Sequence, residues 1–195
     1  MSDNTRHTKS YRHQAALADW NQQQTADFTI FGTLKLNRID GESISTEASD
    51  KIVKRFWSKV DRVYYPSRAV EHGTRVNRLT YWQRGDWGNN HYHFLAKDPQ
   101  GDTDSFIAVL TAIWASISPH TDTSSSWIQE CHSSKGAAAY LAHEVSSLGT
   151  DSLKPGLTHL TAPLGRPEDY QTQRQAQRIL KAQMCHHAPP RLPGT

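Results

Sequence analysis

Two cysteines in 195 residues, Cys131 and Cys185, are too few and too far apart for a disulfide scaffold or a cysteine-rich metal site. A reducing, cytoplasmic setting is the expectation. No apolar run approaches the ~18 residues that cross a bilayer, so no membrane partner is expected. The opening residues, Met1 to Arg6, contain no apolar signal core, and the chain reads as not secreted. A G-x-x-x-x-G-K-[ST] phosphate loop is missing too, which argues against a nucleotide cofactor or an ATP-driven motor. Apolar residues make up only 36% and mean hydropathy is −0.72, so part of the chain is expected outside the core. Neither sign of charge dominates: 22 Lys+Arg against 19 Asp+Glu leaves +3, which permits a nucleic-acid partner without requiring one. Histidine is the residue in surplus, with 11 copies.

Hydrophobic patterning divides the chain into a polar arm over 1–26, a domain over 27–150 and a polar tail over 151–195. The arm has little periodicity beyond a short helix over Ala15–Trp20. Phe28–Leu36, β-branched and aromatic, reads as a central strand. Ile52, Val53, Phe56, Trp57, Val60, Val63 and Tyr64 recur at helical spacing, predicting a helix over Ser45–Tyr65 that Pro66 stops. Ser67–Glu71 and Val76–Gln83 read as short strands joined around Gly73, and Asn90–Lys97 as another strand. Phe106 to Ile117 marks a second helix, followed by a Ser/Thr-rich loop and a short strand over Trp127–Cys131. An Ala-rich helix over Ser134–Leu148 follows, and the tail holds a modest helical stretch over Glu168–Met184. Strands interleaved with helices of this length predict an α+β fold, a ferredoxin-like or RRM-like antiparallel sheet with helices mainly on one face.

The segment Asn89-Asn90-His91-Tyr92-His93-Phe94 carries the chemistry. Alternation in a strand puts His91 and His93 on one face and Tyr92 and Phe94 on the other. Two imidazoles on one face can chelate a divalent ion, and a third ligand is expected from a neighbouring strand. Gln83, Asp86 and Glu71 are the candidates. A second element is Ser133 to Glu144, where Tyr140 stands among small residues with His143 and Glu144 a turn further on.

An aromatic first strand, His-hydrophobe-His and a helix with a lone tyrosine, in that order, resemble the HUH endonuclease superfamily. Within it the chain is most similar to rolling-circle replication initiator (Rep) proteins of small phages, viruses and plasmids. The resemblance covers roughly Phe28 to Gly149 and rests on Phe28-Thr-Ile-Phe-Gly32, His91-Tyr-His93 and Tyr140-Leu-Ala-His143. Gln83 stands where a metal-binding Glu or Gln is common, and His143 where the family usually has lysine. The resemblance implies a single-stranded DNA endonuclease with Mn2+ or Mg2+ held by His91, His93 and Gln83. Tyr140 would then be the nucleophile, giving a 5′-phosphotyrosine and a free 3′-OH that can religate, with His143 assisting. It also implies an origin stem-loop as substrate, action in the cytoplasm of a host cell, and a host helicase and polymerase as partners.

A single-strand channel needs cations for phosphates and flat rings for bases. Lys35, Arg38, Arg75, Arg78, Arg84 and Trp87 are the candidate contacts, with Trp82 beside them. Two other functions fit the same residues. One is a single-tyrosine transposase or relaxase-like nuclease. The other is a non-catalytic single-stranded nucleic-acid-binding module using Tyr92 and Phe31 as stacking rings.

Overall fold

A computed structural model describes residues 4–36, 44–85, 90–143 and 152–160. The elements run α1 (Asn4–Gln24), β1 (Ile30–Leu36), α2 (Thr46–Tyr64), α3 (Ser67–Glu71), β2 (Arg78–Arg84) and β3 (Asn90–Ala96). They continue with α4 (Thr103–Ile117), β4 (Thr121–Glu130) and α5 (Ser134–His143). The four strands form one antiparallel sheet in the order β2-β3-β1-β4. Leaving aside α1, α3 and α5, the βαββαβ order in this sheet is consistent with a ferredoxin-like α+β class. Among the described residues no helix is long and apolar enough to cross a membrane.

The two inner strands are buried on both sides. Ile30, Leu34 and Leu36 of β1 join Tyr92, Phe94 and Ala96 of β3 in a core covered by α2 and α4. Both helices are capped from the sequence: Ser45 Oγ accepts from Ala48 N, and the Asp102 side chain accepts from Ser105 N. Aromatic rings fill the layer edge-on, with Trp57 against Phe94 at 5.1 Å and Phe56 against Trp114 at 5.6 Å. The opposite face is not left open. There Phe28, Phe31, Leu79, Tyr81 and Leu95 pack with Leu141 of α5 and Leu17 of α1. The expectation of helices mainly on one face therefore holds for α2 and α4 only.

Three local expectations differ from the structure. The polar arm is helical from Asn4 to Gln24, well beyond Ala15–Trp20. It docks through Leu17 and the buried Asn21, whose Nδ2 donates to Ala138 O and whose Oδ1 accepts from Tyr81 OH. Without an apolar stripe, this docking left no periodicity to read. Ser67–Glu71 is a helical turn, not a strand. It ends in a Schellman closure: Gly73 at φ 95° donates to Val70 O, and Thr74 N donates to Ala69 O. The glycine that suggested a hairpin is a helix terminator. The Ser/Thr-rich loop belongs to β4, an edge strand exposed along much of its length and therefore without alternation.

Residues 152–160 pair along the outer edge of β2, where Arg78 N donates to His159 O and Lys154 N to Thr80 O. Residues 144–150 and the stretch Glu168–Met184 lie outside the described residues.

Gly32 sits where β1 meets the Phe94 ring, and a Cβ there would lie 2.4 Å from two ring carbons. Gly32→Ala is expected to lower stability by roughly 1–3 kcal/mol through overpacking, read as a lower urea midpoint.

Candidate metal and nucleophile site

Register assembles the candidate site. Gln83 pairs with His91 across β2 and β3, and Thr33 pairs with His93 across β1 and β3. Pleating turns all four side chains toward the α1/α5 side of the sheet. Gln83 Oε1 lies 2.6 Å from His91 Nε2 and 2.7 Å from His93 Nε2, so three donor atoms converge on one point. The amide oxygen accepts, so each imidazole can donate an Nε2 proton to it in this arrangement; binding an ion through the two Nε2 atoms would instead require the tautomer protonated on Nδ1. Thr33 Oγ1, 2.8 Å from His93 Nδ1, closes the far side of that ring. A hydroxyl donates or accepts, so Thr33 serves either tautomer of His93.

Burial, with His91 and Lys35 nearby, pulls the His93 imidazole down to about 3, so it is neutral at ordinary pH. A neutral imidazole is the form that ligates a metal. The donor set also suits a divalent ion in size. Ligands about 2.1 Å from an octahedral ion are roughly 3 Å apart, so a slight opening of this cluster would admit one. Among the described residues there is no group of three or more His, Cys, Asp or Glu able to hold a metal, so the set depends on Gln83. Of its rivals, Glu71 is the exposed last residue of α3, and Asp86 lies outside the described residues.

Tyr140 stands over the same face. Its ring is edge-on to His93 at 5.1 Å and to Phe31 at 5.8 Å, and the residue is 49% exposed. Small residues explain the placement. Ala137 and Ala138 let α5 approach the sheet, Leu141 anchors it in the core, and Tyr140 faces outward between them. His143 is the last residue of α5, and its side chain lies outside the described set.

The candidate DNA contacts divide. Lys35 lies across from His91 on the site face, half-buried. Arg78 does not reach that face: it is buried over the Trp57 ring and held by both oxygens of Asp61 at 2.7 and 3.2 Å. Arg75 joins the same carboxylate at 3.4 Å, and also bonds Val70 O and Thr74 O. Both arginines fasten α2 to the chain entering β2 and have no freedom to track a phosphate. Arg84 is exposed at the end of β2, but alternation turns it to the face opposite Gln83. Trp82 is occupied by Asn90 and Lys154. Arg38 and Trp87 lie outside the described residues. Tyr92 is buried, with its hydroxyl bonded to Ser49 and Asp50, so it cannot serve as a stacking ring.

Two residues of this face were not legible beforehand. Thr33 is an ordinary strand threonine until register sets it against His93. Trp127 reads only as the start of a strand, yet it lies across from Thr33 with its ring 5.1 Å from Phe31. Compared with known proteins, the chain matches no protein-family model, no curated protein and no solved structure.

The buried neutral His93 has a consequence for stability. Its folded-state affinity for protons is below that of the unfolded chain, so the unfolded state gains protons first as pH falls below about 6.5. The stabilisation is present above that pH and is lost on the way down toward 3. Between pH 7.5 and 5 the loss is on the order of 2 kcal/mol. His159, lowered to about 4 by burial and by Arg78 and Arg75, adds in the same direction. Urea midpoints should drop over this range, and His93→Gln should flatten the slope. An unchanged slope in that variant would contradict the assignment.

Proposed function

We propose that the chain is an endonuclease that cuts single-stranded DNA by transesterification. Tyr140 is the nucleophile, and His91, His93 and Gln83 are the ligands of Mn2+ or Mg2+. The supporting observation is the convergence of two imidazole nitrogens and an amide oxygen beside an exposed phenol edge-on to one imidazole. Such an ion, when bound, would supply Lewis acidity toward a non-bridging phosphate oxygen.

The Tyr140 oxygen attacks phosphorus, forming an O–P bond as the bond to the 3′ oxygen breaks. A 5′-phosphotyrosine and a 3′-OH result. A phenol with a reference pKa near 10 needs a proton acceptor, and His143, three residues along the same helix, takes that role in the proposal. Lys35 steadies the strand by its charge. The phosphotyrosine conserves the bond, so a 3′-OH can attack it and reseal the strand without ATP. In this reading the chain is a replication initiator acting at an origin stem-loop, with unwinding and synthesis left to a host helicase and polymerase.

Incubation with random-sequence single-stranded DNA and Mn2+ should give a covalent adduct that survives SDS electrophoresis. Tyr140→Phe should abolish the adduct and retain DNA binding; an adduct persisting in that variant ends the nucleophile assignment. The double variant His91→Ala, His93→Ala should not cut at any Mn2+ concentration, and full activity there would exclude the metal site. Binding without any adduct in the wild type would favour the non-catalytic module instead.

A further inference from the structure

The described part of the molecule has three large apolar side chains left in water: Trp20, Trp127 and Tyr140. Two of them meet on one small residue cluster. Phe31, nearly buried on β1, touches Trp127 at 5.1 Å, Tyr140 at 5.8 Å and lies parallel to His93 at 6.1 Å. Trp127 is 40% exposed on the edge strand β4, among Ser124, Ser125 and Gln129, which are also exposed. The Phe31 ring packs against the indole at a tilt of 54°, and Trp127 keeps 40% of its surface in solvent. An indole half in water on the strand that ends the sheet among the described residues is a liability for the folded chain on its own. The same ring is an apt surface for another flat ring.

We propose that Trp127 is the stacking platform for a nucleobase of the single strand, next to the phosphate presented to Tyr140. This rests on the nuclease reading above and adds to it a base-binding subsite on β4. Phe31 carries the coupling: it fixes the indole, the phenol and the His93 ring against one another. The strand is thus held by its base on one side of Phe31 and by its phosphate on the other. Every base has a π-face, so the contact is tolerant of sequence. Lys35 lies on the same sheet face, one alternate position along β1 from Thr33, and supplies charge for the intervening backbone.

The test uses the full chain carrying Tyr140→Phe, so that binding is read without cutting. A fluorescein-labelled random-sequence single-stranded oligonucleotide is titrated by anisotropy, beside an abasic oligonucleotide of equal length. Adding Trp127→Ala should weaken binding to the first probe by about 5- to 100-fold, from the usual worth of one stacked base. Binding to the abasic probe should be unchanged, and Trp127→Phe should restore most of the affinity. Equal affinity of the parent and Trp127→Ala for the base-bearing probe would overturn the platform, as would equal losses on both probes. If the wild type forms its covalent adduct while Trp127→Ala binds normally, only the platform falls. If the parent binds neither probe and the wild type forms no adduct, the nuclease reading falls as well.

Discussion

The pleat of β1 and β3 is the constraint on which the other features depend. Both strands are buried on both faces, so each side chain is assigned by parity to one of two apolar layers. Tyr92, Phe94 and Ala96 are claimed by the larger core under α2 and α4. Their neighbours His91 and His93 must therefore face the other way. A slip of one residue would bury two imidazoles under α2 and push two aromatic rings out, a cost no surface rearrangement offsets. The polar cluster is held in register by the apolar layer behind it. That layer is tight enough that Gly32 leaves room for the Phe94 ring and nothing more.

Within that frame the site is electrostatically quiet. Gln83 brings an acceptor without a charge, and burial keeps His93 unprotonated. A carboxylate in the place of Gln83 would draw a proton onto the imidazoles; the amide leaves their lone pairs to tautomer choice alone. The cations follow the same separation. Arg75 and Arg78 converge on Asp61 at the back of the sheet, while Lys35 stays on the front. Positive charge in this chain is partly structural, and a basic residue near a strand says little until its partner is known.

Much of this was readable from the residues. The spacing from Ile52 to Tyr64 and from Phe106 to Ile117 is that of helices buried along one face, and both helices form there. His-x-His on an aromatic strand fixed which side chains share a face, and the distance along the chain brought Gln83 opposite His91. The features without a sequence signature lack an apolar stripe or depend on register. The first helix docks through a carboxamide, β4 is polar on an exposed edge, and Thr33 acquires its role only from the strand beside it. The burial of Arg78 beside Asp61 has no signature in spacing.

Asn21 sets a distance that neither of its partners encodes. One end of its carboxamide holds the sheet through Tyr81 OH, and the other holds α5 at Ala138 O, 117 positions away in sequence. The gap between the strand bearing His93 and the helix bearing Tyr140 is thereby gauged by a third segment, as a spacer sets the jaws of a caliper. The two motifs that carry the chemistry are each local, but their separation is a property of the first helix. Any change that alters the seating of that helix resets the reach of the phenol without touching either motif.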